Sequence, residues 1–374
     1  MNLNIKKIWN FNSGEQTLGL IISEPINKIQ HKILAYTKSG RIFIISADGN
    51  IFRNEIVTEN TAIWKGLFNN LYDDEQEELI LGGLDGLLRT FKYNEKFELI
   101  PFWAHQFGAS LSGFFIEDIN KDNIREIIAY SLDKSIRVLN PFNGNLIWGQ
   151  IFEQGVTDAI FCEIKGKIEK SELIASSNDG TIRAFDPVKG NLLWFKRFEN
   201  KVRTLSFFMT GQNYYLVCGG DDKKIHFLNF KTNEEVKTFK VENYIWKSLK
   251  YPKNPPHNLI ISSYSFDYLE KDINVKDIEF TSKLIVFDIN LNIKWTLEKI
   301  NAELIDYINV FDKIVILTGT TKGELFLIDE MDGKILARVD HGSCINDIKW
   351  ISDLSLLITC HDDGNINAYN LSTN

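Results

Sequence analysis

One pattern of residues recurs eight times along these 374 residues, and no other property restricts the fold as much. The clearest copies are Glu78-LILGGLDGLLRTF, Glu126-IIAYSLDKSIRVL and Glu172-LIASSNDGTIRAF. Each is an apolar run, a pair of small residues, an Asp-Gly or Asp-Lys turn, and a second alternating run. Runs rich in β-branched residues joined by a tight turn are the signature of a β-hairpin. The same unit returns as ILAYTKSGRIFII, YLVCGGDDKKIHFL, IVILTGTTKGELFLI and LLITCHDDGNINAY, with an expanded copy at LIISSYSF…TSKLIVF. Anchored on the residue before the second run, the copies fall at Gly40, Gly86, Lys134, Gly180, Lys223, Ser282, Lys322 and Gly364. Six of the seven spacings lie between 40 and 48 residues, and one is 59.

A period of about 40–50 residues suits a four-stranded sheet repeated as a propeller blade. Each unit reads as strands a to d. In the fourth, these are Val156-TDAIFCEI, Ser171-ELIASS, Thr181-IRAFD and Asn191-LLWFKRF, with Pro187-Val-Lys-Gly190 turning c into d. The third copy repeats that turn as Pro141-Phe-Asn-Gly144. The final unit stops after its strand c, whereas the chain opens on Ile5-KKIWNF, which reads as a strand d. The expected fold is therefore all-β. It is an eight-bladed β-propeller with four antiparallel strands per blade, a single domain over 1–374. Residues 3–12 supply the outer strand of blade 8, which removes an open sheet edge.

Composition removes several functional classes. Hydrophobic residues are 44% and charged residues 25%, as in a globular protein. No apolar stretch approaches the length of a membrane span, and the first residues lack the apolar core of a signal peptide, so a cytoplasmic location is expected. A net charge of −8 disfavours nucleic acid as a partner. The isolated Cys162, Cys218, Cys344 and Cys360 suggest neither a disulfide framework nor a zinc knuckle.

At Ala184-FDPVKGNLLW194 and Val138-LNPFNGNLIW148 the chain resembles the pyrroloquinoline-quinone-like (PQQ-like) propeller superfamily. At His341-GSCINDIKWISDLSLLITCHDDGNINAYN370 it resembles WD40 repeats, with Tyr369-Asn370 where that family has Trp-Asp. The likeness extends over the whole chain. It implies the architecture and the company of WD40-type assembly subunits, including those of trafficking coats and ubiquitin ligases. It does not fix a function, because one fold hosts many. A third likeness is local. Asp118, Asn120, Asp122 and Glu126 resemble the calcium loop of FG-GAP propeller repeats, which implies a hard cation held by oxygen ligands. The same residues also read as a solvated turn held by Asx hydrogen bonds.

The enzymatic alternative is a PQQ-like propeller, or another small-ligand binder, using the central channel. The resemblance implies that quinoprotein dehydrogenases are exported and often place the cofactor on vicinal cysteines, which this chain lacks. An outer-membrane assembly factor of PQQ-like type is a further alternative and requires export. HExxH, GxSxG and P-loop motifs are absent, and the six histidines have no ligand-like spacing. No catalytic residue and no cofactor is expected.

The expected activity is non-catalytic recognition of a protein or peptide by the loops at the top of the propeller. Aligning the starts of the a strands gives Gly19, Trp64, Ser112, Asp158, Thr204, Trp246, Asp306 and Asp347 as one residue per blade. Trp64 and Trp246 are candidate anchors, since large amphipathic rings suit interface hot spots; packing between blades is the competing reading. Asp158, Asp306 and Asp347 would favour basic groups on a partner. The long spacing comes from residues 264–282, an extended b–c hairpin in blade 6 that carries Phe266 and Tyr268 as further partner-binding candidates. The other six Trp mark strands: Trp9, Trp103, Trp148, Trp194 and Trp295 in outer strands, Trp350 in an inner one.

Overall fold

In a computed structural model, the described residues are 3–23, 31–71, 77–94, 98–164, 171–211, 213–253, 257–264 and 282–373. Every regular element among them is a β-strand, and the strands form eight four-stranded antiparallel sheets. The chain is thus the all-β, eight-bladed propeller that its repeats predict. Seven sheets take their strands a, b, c and d in chain order. Sheets 1 to 7 lie within 17–56, 63–106, 111–151, 156–197, 202–240, 244–298 and 302–340. The eighth takes three strands from 345–373, and Leu3–Asn12 pairs beside the last of them from Leu3↔Thr373 to Asn12↔Asn365.

Two compact units are distinguished, one of Arg197–Ile345 and one of Leu3–Lys196 with Asn346–Asn374. The first holds sheets 5 to 7. The second holds sheets 8 and 1 to 4. In both, the b strands are the most buried. Lys32–Thr37, Glu78–Gly83 and Glu126–Ser131 are covered at every position, which explains their unbroken apolar runs. The d strands alternate between exposed and half-buried positions, as at Leu192–Arg197. The core lies between sheets. Leu34, Ile42, Ile63 and Leu79 join sheets 1 and 2, and Tyr251, Ile260, Ile316 and Phe326 join sheets 6 and 7.

The outer Trp residues lock neighbouring sheets. The indole N–H of Trp9, Trp103, Trp148 and Trp295 donates to Ala47, Pro141, Pro187 and Glu330 carbonyls, each 2.8–2.9 Å away in the c–d turn of the next sheet. Each ring lies on the turn glycine. A Cβ added at Gly190 would sit 2.6 Å from Trp148, and one at Gly144 would sit 2.4 Å from Trp103. Both glycines have positive φ. Sheet 5 uses Lys237 instead, whose Nζ donates to Leu291 O at 2.7 Å. Trp194 departs from the pattern and donates to Glu172 of its own sheet at 2.9 Å.

His226 has a carboxylate on each ring nitrogen, Asp222 at 2.7 Å and Glu235 at 3.0 Å. Burial opposes charging the ring, but the two carboxylates outweigh it and raise the pKa above the ordinary imidazole value. A raised folded-state pKa adds stability that is complete below the unfolded value of about 6.5 and disappears as pH rises through the folded value. His226→Gln is therefore expected to cost more stability at pH 6 than at pH 9, measured by urea unfolding. An equal cost at both pH values would contradict the ion pairing.

The a–b turn of sheet 7 is the two-residue Phe311-Asp312, closed by the pair Val310↔Lys313, with φ of 50° and 59°. That turn type favours Asn-Gly, and a bulky residue at positive φ is strained. The replacement Phe311→Asn/Asp312→Gly is expected to raise stability by about 1 kcal/mol, read from the urea midpoint.

Candidate functional site

Near its start, the a strand of each of sheets 1 to 7 carries a β-bulge. The register skips between Thr17/Gly19, Ile63/Lys65, Leu111/Gly113, Val156/Asp158, Val202/Thr204, Ile245/Lys247 and Ala302/Leu304. A bulge adds one unpaired residue and re-aims its side chain. Those residues are Leu18, Trp64, Ser112, Thr157, Arg203, Trp246 and Glu303. Trp64, Ser112 and Trp246 do share one position, as the sequence predicts. Gly19, Asp158 and Thr204 lie one residue later, and Asp306 lies three residues beyond its sheet's bulge. The predicted equivalence of Asp158 and Asp306 with the Trp position is thereby corrected: six of the seven strands carry the bulge at their second residue, that of sheet 6 at its third, and Val156 and Ala302 start their strands one and three residues earlier than the alignment of strand starts assumes.

The two Trp candidates differ. Trp246 is half-buried in unit 197–345, with its ring 4.9 Å from Tyr264 and the Arg203 guanidinium 5.3 Å away. Arg203 is itself ion-paired with Asp221. Trp64 is 51% exposed. Two further apolar residues lie at the same end of sheets 2 and 3. Leu84 and Leu132, 42% and 50% exposed, each occupy the first position of a b–c turn. Hydrogen bonds link them to Ala62, which leads into the Trp64 strand. Leu84 N donates to Ala62 O, Ser110 Oγ to Leu84 O, and Leu132 N to Ser110 O, all at 2.8–2.9 Å. Sequence reasoning missed both leucines. The available signal was their turn position, which is Lys38, Asn178, Asp221 and Asp362 in other repeats.

The three predicted aspartates all accept hydrogen bonds. Asp347 accepts Leu20 N–H at 2.9 Å, Ile348 N–H at 2.8 Å and Lys349 Nζ at 2.9 Å, so it links sheets 8 and 1. Asp158 accepts Ala159 N–H at 2.9 Å and the Tyr130 hydroxyl at 3.4 Å. Burial, then the Asp158 charge, pushes the Tyr130 pKa well up. Asp306 accepts Tyr307 N–H at 2.8 Å, in the other unit. Phe266 and Tyr268 lie outside the described residues; the ends of their hairpin pair as Tyr264↔Ser282.

The FG-GAP-like loop is a set of Asx turns. Asp118 accepts the N–H groups of Lys121, Asp122 and Asn123, and Asp122 accepts that of Ile124. The Asn120 side-chain amide donates to Asp122 and Glu126 at 3.0 Å. Burial pushes the Glu126 carboxyl up, against the pull of the Ile119 amide it accepts, and the charges of Asp122 and Asp118 add to the rise. Among the described residues, no group of three or more His, Cys, Asp or Glu side chains is placed to hold a metal ion. Three of the other histidines are held by hydrogen bonds. His31 bonds Ser23 O and Asp353, His105 bonds Gly144 O and Arg137, and His361 bonds Thr359 and Asn367.

Fold and repeats define an eight-bladed β-propeller repeat protein. Residues 142–272 match the lambda-carrageenase β-propeller domain, and residues 333–370 match the WD domain, G-beta repeat. Among solved structures, Sqt1 of Saccharomyces cerevisiae is similar over 100% of both chains, with 11% identity and a TM-score of 0.75. The computationally designed Ika8 protein is similar over 96% of this chain and 97% of its own, with 14% identity and a TM-score of 0.68. BamB of Moraxella catarrhalis is similar over 98% and 100%, with 12% identity and a TM-score of 0.63. No curated protein matches the sequence. At these identities the neighbours define the fold alone. Among the described residues, no helix is long and apolar enough to cross a membrane.

Proposed function

We propose that this chain is a non-catalytic recognition module that binds a protein or peptide at one end of sheets 2 and 3. Trp64 carries the reading. Trp64 stands half exposed at a bulge, at the same end of sheets 2 and 3 as two exposed leucines in turn positions that other repeats keep polar. Exposed apolar groups gathered at one place are a common mark of an interaction surface, and Trp is enriched among hot spots. Trp246 serves packing in its own unit.

The test is affinity capture from native extract with quantitative mass spectrometry. It compares wild type, Trp64→Ala/Leu84→Ser, and Trp246→Ala. The first variant is expected to lose specific proteins while melting like wild type. Trp246→Ala is expected to keep those proteins and melt earlier. An unchanged protein set for Trp64→Ala/Leu84→Ser would refute the surface.

A further inference from the structure

Sheets 2 to 5 each fill one recurring seat with their own cation. The seat lies between the b–c turn and the loop that enters the sheet. In sheet 3, Arg137 pairs with the turn Asp133 at 2.9 Å, and its guanidinium lies 4.3 Å from the Phe107 ring. In sheet 4, Arg183 pairs with Asp179 at 3.3 Å and lies 4.3 Å from Phe152. Sheet 2 has Arg89 on Asp85 at 2.5 Å. Sheet 5 has His226 on Asp222 at 2.7 Å, with its ring 4.5 Å from Phe198.

Sheet 1 lacks every part of this filling. Its turn residue is Ser39 in place of Asp. The Arg position is Phe43, which turns inward against Phe11 with ring centroids 5.3 Å apart. Ser13 stands at the position of Phe107, since Ser13 N donates to Gly364 O as Phe107 N does to Gly86 O. A cleft of about 550 Å³ lies at this seat, lined by Ser13, Glu15, Ser39, Arg41, Thr58 and Glu59 among others. Its two carboxylates face one guanidinium. Arg41 holds Glu15 only loosely, at 3.7 Å, and reaches Asn54 at 3.5 Å.

We propose that this cleft receives an arginine side chain of the bound partner, filling from outside the seat that sheets 2 to 4 fill from within. The excess carboxylate and the hydroxyls of Ser13, Ser39 and Thr58 supply acceptors for a planar guanidinium, which has donors only. Arg41 sits at the rim as the existing partner of Glu15 and would yield it to the incoming group. The proposal rests on the reading of the chain as a peptide- or protein-binding module and names one chemical feature of the partner.

The test uses the purified full chain and three capped tripeptides, acetyl-Gly-Arg-Gly-amide and its Lys and Glu counterparts, titrated by NMR or calorimetry. The Arg peptide is expected to bind most tightly. Glu15→Gln/Glu59→Gln is expected to weaken it about tenfold, as for the loss of a charge-assisted hydrogen bond. Ser39→Asp, which restores the turn carboxylate without a resident Arg, is expected to tighten it. Trp64→Ala should leave it unchanged. Preference for the Glu peptide would overturn the proposal by making Arg41 the recognising group, and so would the absence of binding at 10 mM peptide (on the order of the weakest affinity of interest). Either failure, alongside loss of cellular partners from Trp64→Ala/Leu84→Ser, would leave the recognition surface standing and remove only the arginine seat.

Discussion

Deletion of residues 1–12 is expected to unfold sheet 8 and to make the remaining chain aggregate. Leu3–Asn12 pairs along the whole of Asn365–Thr373, so its removal exposes that strand as an open edge. Leu3 is 6% exposed and leaves a core void. Trp9 carries away its bond to Ala47 and its contact with Gly49 in sheet 1. Together these losses are on the order of 5 kcal/mol or more, comparable with the whole stability of many domains. Circular dichroism melts and light scattering read the result. A synthetic peptide of residues 1–14, added in trans, should restore part of the lost midpoint. A truncated chain that melts like wild type would refute the assignment of this strand to the eighth sheet.

Trp148→Ala is expected to cost about 3–5 kcal/mol, the range for truncating a large buried aromatic residue. Trp148 is 9% exposed, packs 6.1 Å from the Phe185 ring in centroid separation, and donates to Pro187 O at 2.8 Å. Gly190→Ala should approach the same cost from the other side of the contact, since its Cβ would enter the indole at an unfavourable φ of 71°. Trp194→Ala is the control. Trp194 is half-buried, bonds a carboxylate of its own sheet, and should cost clearly less. Urea unfolding of the three variants ranks them. Equal costs for Trp148 and Trp194 would contradict the locking role.

The repeat made the architecture legible because the hairpin and its turn recur at a spacing of 40–48 residues, with one copy lengthened by residues 264–282. The strand taken from the N-terminus was legible for the same reason: the last copy lacked a strand d and the first residues formed one. The outer Trp positions were visible, but their task was not. A Trp stacks on a glycine and bonds a carbonyl about 35–40 residues downstream, and no local pattern encodes that pairing. The site was read only in part. Trp64 was singled out for its type, whereas Leu84 and Leu132 passed as turn residues. Trp246, of the same type at the same bulge, is held by Tyr264 and Arg203, and those contacts appear only once the strands pair. Asp158 and Asp306 fall one and three residues beyond the bulge position because the apolar pattern alone does not mark the first residue of an a strand. The cleft in sheet 1 was hidden for a related reason: Ser39 and Phe43 look unremarkable until the same places in sheets 2 to 4 show Asp and Arg.

Site-specific photo-crosslinking tests the recognition surface most directly. A photoreactive phenylalanine analogue is placed at position 84, at the same end of sheet 2 as Trp64, and in a second protein at position 193, where Leu193 is at least as exposed on an outer strand. The account predicts one or a few discrete crosslinked proteins from position 84, lost when Trp64 is replaced by Ala, and none of them from position 193. The same products from both positions, or products at 84 that survive Trp64→Ala, would contradict it.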